Sequence, residues 1–331
     1  MRVPLGDRSY DVTFAPDYQG LAAAIAALDP TRVVVLADEH APLPDLDANV
    51  LVLPSGEASK SWDHAGRVLD RILRVPLDRR SVLVAVGGGV VGDLTGFCAA
   101  VALRGIPWVM VPTTLLAMVD SAVGGKTAVN HPAGKNLIGA FHQPSAVWAA
   151  AHTLETLPAA ELRSGMGEVI KTALLAGEAL VSDLARHTPF DLAQRCAAFK
   201  ANIVAEDERD TGRRAHLNLG HTLGHAYEQV TGFALRHGEA VGLGLVAEAR
   251  AAVSLGIAPP ELPGRIASLL TAAGLPVEPP VLPEEALRAA LALDKKASGD
   301  ILVLPLLRAV GEVTLVRISP AELVERAKAK P

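Results

Sequence analysis

Residues 81–143 read SVLVAVGGGVVGDLTGFCAAVALRGIPWVMVPTTLLAMVDSAVGGKTAVNHPAGKNLIGAFHQ, and this stretch decides the fold. Its apolar run at 82–86 ends in three glycines, which is typical of a buried parallel strand entering a tight turn. Glycine accepts positive φ and lets a ligand approach the backbone. Apolar residues at helical spacing follow over 90–103, so the glycines lie at a helix N-terminus. The free N–H groups there predict an anion site suited to a pyrophosphate.

A second polar cluster lies further along the same stretch. Its members fall within 17 residues and alternate with glycines at 124, 125, 134 and 139; they are Asp120, Lys126, Lys135 and Asn136. Lysines on a glycine-rich loop indicate a second anionic group, bound close to the first.

Strands and helices alternate over the first 150 residues, which predicts an open, mostly parallel sheet. We expect a hairpin at 2–5 and 10–14 and strands at 32–37, 49–53 and 108–111. Asp38 directly follows the strand at 32–37, where an acid binds ribose hydroxyls in dinucleotide sites. A helix cap or a turn is the alternative role for Asp38. Ser59 is the expected cap of the helix that runs to about residue 73.

The second half of the chain has a different pattern. From about 157 to 297 we find helical periods and no convincing strand, and a short β pair and a last helix from Ser319 follow. We therefore predict two domains, 1–157 and 158–331, with the boundary near Leu157 and Pro158.

The helical half carries a third group of polar residues. His221 and His225 are four residues apart and therefore share one helix face, while His237 and Glu168 lie in separate segments. Two imidazoles and a carboxylate with an open fourth position form a catalytic zinc-type site. A histidine pair at this spacing is more often a helix-surface or buried hydrogen-bonding pair than a pair of metal ligands, and the spacing leaves either His225 or His237 as the third ligand.

Composition limits the classes of function. The 331 residues are half apolar and carry a net charge of −5, which disfavours wholesale nucleic-acid binding. The two cysteines, Cys98 and Cys196, lack metal or redox spacing, which fits a reducing cytoplasm. We expect no signal peptide and no membrane-spanning run, and thus a soluble cytoplasmic protein without nucleic-acid or membrane partners.

Several long motifs resemble one family in one order. They are GGGVVGDLTGF at 87–97, the run 111–144, SGMGEVIK at 164–171, DERDTGRRAHLNLGHTLGHA at 207–226, HGEAVG at 237–242 and DKK at 294–296. Over about 56–304 the chain is similar to the 3-dehydroquinate synthases of the sugar-phosphate cyclase superfamily. The resemblance implies a Rossmann-like N-terminal domain with a parallel sheet and a helical, metal-binding C-terminal domain.

The resemblance also implies an activity. Members convert 3-deoxy-D-arabino-heptulosonate 7-phosphate to 3-dehydroquinate and phosphate in the shikimate pathway, with NAD and a divalent metal, zinc or cobalt. The steps are a transient oxidation, phosphate elimination, reduction and an intramolecular aldol closure. The family further implies a homodimer in which Arg104 reaches across the interface to the phosphate.

Site residues follow from the matching positions. The implied metal ligands are Glu168, His221 and His237, which leaves His225 as a proton relay. The implied NAD-binding residues are Asp38, Glu57, Lys60, Gly88, Gly89, Asp93, Thr113, Thr114, Asp120 and Lys135. The implied substrate-binding residues are Arg104, Asp120, Lys126, Asn136, Lys171, Lys200, Arg214, Asn218, His225 and Lys296, of which Lys126, Asn136, Lys171, Arg214 and His225 are the catalytic group.

Several of these residues can also be interpreted as structural residues without a role in binding or catalysis. Lys171 and Lys200 fit solvated helix lysines, and Asp93 fits a helix cap. Asp210 and His216 depart from the family pattern, and the match before Glu57 is weak. The alternatives in function are another sugar-phosphate cyclase of the same fold, a metal-dependent polyol dehydrogenase, and a catalytically inactive NAD-binding homologue.

Overall fold

The computed structural model describes residues 1–132, 134–292 and 301–328. The chain divides into two compact units: Met1–Pro158 with Lys200–Arg209, and Ala159–Phe199 with Asp210–Pro331. No sequence pattern predicts that Lys200–Arg209 belongs to the first unit. Lys200 connects this segment to that unit, because its Nζ donates to the backbone oxygen of Asp120 at 2.6 Å and lies 2.8 Å from the Asp120 carboxylate.

The first unit is built on a parallel sheet with helices beside it. Its strands are β1 (Arg2–Val3), β2 (Tyr10–Ala15), β3 (Val33–Asp38), β4 (Asn49–Leu53), β5 (Val82–Gly87), β6 (Trp108–Pro112), β7 (Lys126–His131), β8 (Gly134–Phe141) and β9 (Ala146–Ala150). Its helices are α1 (Leu21–Ala26), α2 (Trp62–Ile72) and α3 (Gly89–Val101).

The main sheet has seven strands in the order β1-β2-β9-β6-β5-β3-β4. β1 is antiparallel to β2, and the remaining neighbours are parallel. The apolar run in β5 is buried along its whole length, because parallel strands are covered on both faces. The predicted hairpin at the N-terminus and the mostly parallel sheet are confirmed.

Two expectations for the first unit are wrong, and one strand was not predicted. β9 was missed, although it joins β2 to β6 in the sheet. The segment expected to be a glycine-rich loop forms the antiparallel pair β7–β8. Every second residue of β7 is buried there, namely Thr127 and Val129. The cap of α2 is Ser61, which accepts from the His64 N–H at 3.3 Å, whereas the Ser59 hydroxyl donates to the Pro54 carbonyl oxygen.

The second unit is helical, as predicted. Its helices are α4 (Ala159–Ala176), α5 (Glu178–Asp183), the first part of α6 (Pro189–Glu206), α7 (His221–Val230), α8 (His237–Ser254), α9 (Leu262–Ala272) and α10 (Glu284–Ala292). The antiparallel strands β10 (Leu302–Ala309) and β11 (Glu312–Ile318) and the helix α11 (Pro320–Ala327) follow. Residues 157–292, all of which the structure describes, contain no strand.

The start of α7 differs from the prediction. The helix expected from His216 begins at His221, because Gly220 adopts a left-handed conformation with φ +75° that breaks the helical path. A separate 3₁₀ segment, Arg213–Asn218, precedes it. His221 therefore stands in the first turn of α7.

Buried apolar side chains of α7, α8, α10, α11 and β10 form one core of the second unit. The helix α8 is central to it and is buried over most of its length. In the part of the chain that the structure describes, no helix combines the length and the apolar character needed to cross a membrane.

Candidate active site

The glycine turn of the first unit lies between β5 and α3, as predicted. Gly88 is the N-cap of α3, so the first-turn N–H groups of the helix are presented next to the turn. A Cβ atom on Gly87 would lie 2.9 Å from Val91 Cγ2 and 3.2 Å from Asp38 Cβ. Only glycine fits this close approach, and the turn forms a cradle for an anion.

Asp38 lies at the same edge of the sheet, at the carboxyl end of β3, which neighbours β5. Its Oδ1 accepts from Ser55 Oγ at 2.6 Å and from the His40 N–H at 3.0 Å. These two bonds fix the orientation of the carboxylate. An oriented acid beside a glycine turn at the carboxyl edge is the arrangement that binds a nucleotide ribose.

Other residues assigned to NAD surround the turn. Lys60 Nζ is buried and lies 2.5 Å from Asp93 Oδ2. Burial raises the pKa of the Asp93 carboxyl, and the Lys60 ammonium acts against that rise. The Thr113 N–H donates to the Gly87 carbonyl oxygen at 3.0 Å, and Thr114 Cγ2 lies 3.1 Å from where a Cβ of Gly88 would stand. The donor set and the cradle therefore fit a dinucleotide.

The β7–β8 hairpin carries the polar cluster predicted between 126 and 136. Lys126 and Asn136 are exposed and Lys135 is half-buried. Asn136 has a φ of +54°, a left-handed conformation that asparagine tolerates better than most residues. Its N–H donates to Asn130 Oδ1 at 2.9 Å.

Asn130 was missed by the sequence reasoning. While its Oδ1 accepts from Asn136, its Nδ2 donates to Glu57 Oε1 at 2.7 Å. Its own N–H donates to the Lys60 carbonyl oxygen at 2.7 Å. Asn130 thus joins Asn136, which is assigned to the substrate, to Glu57 and Lys60, which are assigned to NAD. The only sequence signal was its place inside the motif at 111–144.

Two more assigned residues of the first unit lie near turns. Asp120 belongs to a π-helical turn, Ala117–Ser121, and is paired with Lys200. Arg104 is exposed and has a φ of +68°, directly after Leu103 with a φ of +50°. Two consecutive left-handed residues that are not glycine indicate local strain at Arg104.

The metal-type cluster of the second unit converges on one carboxylate. Glu168 on α4 is fully buried. Its Oε1 lies 3.4 Å from His221 Nε2 and 3.3 Å from His237 Nε2. These three residues come from three different helices, so the folded unit brings together residues that lie far apart in sequence.

His225 lies beside the same cluster. The ring centroids of His221 and His225 are 5.2 Å apart, and one nitrogen from each of His221, His225 and His237 lies within 4.8 Å of the others. The three imidazoles alone therefore offer a second possible donor set. The convergence of His221 and His237 on one Glu168 oxygen favours those two as ligands.

The outer nitrogens of the two rings have partners. His221 Nδ1 lies 3.1 Å from the Leu219 carbonyl oxygen, and His237 Nδ1 lies 3.3 Å from Glu228 Oε2. A proton on His221 Nδ1, donated to the Leu219 carbonyl oxygen, leaves the His221 Nε2 lone pair turned toward Glu168. A lone pair facing a carboxylate oxygen is repulsive unless a cation lies between them. The donor set therefore fits a divalent metal with carboxylate and imidazole ligands.

The electrostatics of the two imidazoles differ. Burial lowers the pKa of His221 well below its ordinary value, and the Lys171 ammonium lowers it further. Burial also lowers the pKa of His237, but its hydrogen bonds with Glu168 and Glu228 outweigh burial and raise that pKa to about 10. His221 is thus a neutral imidazole whose lone pair is available to a metal. At His237, a bound metal would displace a proton. Glu228 is a second residue that the sequence reasoning missed.

The remaining assigned residues of the second unit lie on α4 and the 3₁₀ segment. Lys171 is buried, with its Nζ 2.5 Å from Glu168 Oε2. Arg214 is buried and Asn218 is half-buried, with its Nδ2 donating to the Ala215 carbonyl oxygen at 3.1 Å. The alternative interpretation of Lys171 and Lys200 as solvated helix lysines is therefore wrong, because both side chains are buried. Lys296 lies outside the described residues.

Comparison with known proteins covers most of the chain. Family models described as 3-dehydroquinate synthase N-terminal and C-terminal match residues 50–164 and 165–297. A 3-dehydroquinate synthase of Neisseria gonorrhoeae is 46% identical over 287 residues, which are 83% of this chain and 80% of that protein.

Solved structures with the same fold include two synthases. A 2-deoxy-scyllo-inosose synthase complexed with carbaglucose-6-phosphate, NAD⁺ and Co²⁺ superposes with a TM-score of 0.86 at 24% identity, over 99% of each chain. ValA, a 2-epi-5-epi-valiolone synthase from Streptomyces hygroscopicus with NAD⁺ and Zn²⁺ bound, gives a TM-score of 0.85 at 26% identity. That match covers 98% of this chain and 97% of the other.

Proposed function

Because this chain belongs to the 3-dehydroquinate synthase family, we propose that the polar clusters described above are the working parts of its active site. The metal ligands are Glu168, His221 and His237. The observation that carries the proposal is the convergence of both Nε2 atoms on one buried carboxylate oxygen, at 3.3 and 3.4 Å.

The reaction is that of the family. The enzyme is a phosphate-eliminating lyase that converts 3-deoxy-D-arabino-heptulosonate 7-phosphate to 3-dehydroquinate and phosphate, and it uses NAD and a divalent metal, zinc or cobalt. When bound, NAD would accept the hydride from C5 as the C5 hydroxyl is oxidised, and the dication would supply Lewis acidity to that hydroxyl. The protein must therefore bind, orient and protect a substrate with two anionic groups.

The first unit binds the cofactor through the residues of the sheet edge. The α3 N-terminus at Gly88 and Gly89 receives the pyrophosphate, and Asp38 receives ribose hydroxyls. Glu57, Lys60, Asp93, Thr113, Thr114, Asp120 and Lys135 complete the assigned set. The Asn130 side-chain amide donates to Glu57, and the Asn130 backbone N–H donates to the Lys60 carbonyl oxygen.

The substrate is held by cations and amides. The assigned residues are Arg104, Asp120, Lys126, Asn136, Lys171, Lys200, Arg214, Asn218 and His225, with Lys296 added by the motif match alone. Phosphate elimination does not need a strong base from the protein if the departing phosphate takes the C6 proton. Each well-placed cation then lowers the barrier by about 2–4 kcal/mol, as a donor in an oxyanion hole does.

His225 moves a proton rather than holding the metal. It shares a helix face with His221, one turn along α7. An imidazole there accepts the proton of the C5 hydroxyl as that carbon is oxidised and returns it on reduction.

Alanine substitution at Lys126 or Arg214 tests the substrate assignments. We expect NAD binding to stay normal while turnover falls by about 10²–10³-fold, because the lost cation contacts the substrate and not the cofactor. Arg213→Ala is the matched control, since Arg213 is the exposed neighbour of buried Arg214. Near-native turnover of either Lys126→Ala or Arg214→Ala rejects that residue as part of the site.

We also propose that the enzyme is a cytoplasmic homodimer without nucleic-acid or membrane partners. The exposed, strained Arg104 supports the dimer, because strain at an exposed residue is retained where that residue has a role. The buried free thiols of Cys98 and Cys196 support a reducing compartment.

A further inference from the structure

A fully buried carboxylate near the metal centre has no place in the reaction described above. Glu248 lies on α8 and is 1% exposed. Its Oε2 accepts from the Gly220 N–H at 2.7 Å, and its Oε1 accepts from the Leu223 N–H at 3.1 Å. Both donors belong to the start of α7, whose first residue is His221.

The start of α7 cannot be capped by its own N-cap residue. Gly220 has no side chain, and its left-handed φ of +75° disfavours any residue with a Cβ. A Cβ there would also lie 2.8 Å from Leu245 Cγ and 2.9 Å from the Val241 carbonyl oxygen. The cap therefore comes from another helix, and Glu248 supplies it.

The same side chain ties together two helices that each begin with an assigned ligand. α7 begins at His221 and α8 begins at His237. Glu248 bonds α8 to the first turn of α7, and Gly244, one turn earlier, packs against the Gly220 backbone. A carboxylate is suited to this task, because it accepts two N–H bonds and its charge opposes the positive end of the helix dipole.

We propose that Glu248 is a positioning residue of the metal centre, fixing the first turn of α7 so that His221 Nε2 points at Glu168. The proposal rests on the metal site assigned under the proposed function. Without Glu248, the two N–H groups of a buried helix end lose their partners, and the first turn of α7 shifts or frays. His221 is the residue most affected, because it stands in that turn.

Glu248→Gln is the main test, because glutamine keeps the volume of the side chain but offers only one acceptor oxygen. We expect zinc affinity, measured by competition with a chromophoric chelator, to fall about 10–100-fold, in the range typical of residues that orient ligands. The visible spectrum of the Co²⁺-loaded protein should also change, since it reports ligand geometry independently of activity. Glu248→Ala should give a larger loss of affinity.

Leu270→Ala is the control for general destabilisation. Leu270 is buried on α9 and would contact a Cβ placed on Gly242 of α8, so its truncation weakens the same unit without touching the cap. We expect Leu270→Ala to lower the melting temperature while zinc affinity and the Co²⁺ spectrum stay unchanged. Wild-type zinc affinity and an unchanged Co²⁺ spectrum in Glu248→Gln would overturn the proposal.

The wild-type measurement separates this proposal from the one beneath it. A wild-type protein that binds no zinc overturns the metal site and the role of Glu248 together. If the wild-type protein binds zinc, but no more tightly than the Glu248→Gln variant, the role of Glu248 alone is overturned.

Discussion

The protonation of single ring nitrogens determines the chemistry of the proposed metal centre. The Leu219 carbonyl oxygen and the Glu228 carboxylate lie beside the Nδ1 atoms of His221 and His237, and the proposed ion would bind both Nε2 atoms. Histidine spacing alone left the third ligand open between His225 and His237, because a sequence does not say which nitrogens face one another. The family resemblance implies His237 as the third ligand, and the contacts of His221 and His237 with the same Glu168 oxygen support that assignment.

Two alanine variants distinguish ligand from proton relay. We expect His221→Ala to lose bound zinc, whereas His225→Ala keeps about one zinc per chain and loses turnover. The measurement is metal content by elemental analysis after dialysis, beside the rate of the loaded enzyme. Loss of zinc from His225→Ala would show that the three histidines, rather than the assigned set, hold the metal.

At the level of helices, close glycine contacts set the distance between α7 and α8. A Cβ on Gly244 would lie 1.9 Å from the Gly220 carbonyl oxygen and 2.8 Å from the Gly224 N atom. Both obstacles are backbone atoms, so no side-chain rotation removes the clash. The two helices that begin with His221 and His237 therefore depend on glycine at this crossing.

Gly244→Ala should destabilise the helical unit by about 1–3 kcal/mol or more, because one helix must move away from the other. The control is Gly66→Ala in the exposed middle of α2, where nothing lies within 4 Å of the added Cβ. That change should stabilise the protein by up to about 1 kcal/mol through helix propensity. Urea unfolding followed by circular dichroism gives both values, and equal stability of the two variants would contradict the packing described.

The elements that the sequence predicted well are those with strong local signals. The apolar strand at 82–86 with its glycines, and the long amphipathic helices, needed no tertiary information. β9 was missed because its pairing partners, β2 and β6, are distant in sequence. The glycines of the β7–β8 hairpin predict a loop, because they are a stronger local signal than the alternating burial of Thr127 and Val129. Asn130, Glu228 and Glu248 act through contacts with distant residues, which no local pattern reveals.

At the scale of the whole molecule, the proposed dimer predicts complementation between inactive subunits. Arg104 is proposed to act on the partner's site, and Lys126 on its own. A mixture of Arg104→Ala and Lys126→Ala subunits then contains heterodimers with one intact site, and random pairing restores about a quarter of wild-type turnover. Each variant alone is the control. A mixture that stays as inactive as its components would show that Arg104 acts within its own subunit.

The most direct test of the central claim is phosphate release from 3-deoxy-D-arabino-heptulosonate 7-phosphate, with the product identified and NADH absorbance followed. We expect one phosphate and one 3-dehydroquinate per substrate, a requirement for NAD, loss of turnover with a chelator, recovery with Zn²⁺ or Co²⁺, and no net NADH. Steady accumulation of NADH without phosphate release would identify a polyol dehydrogenase, and turnover of a different sugar phosphate alone would identify another cyclase. Either result would contradict the account.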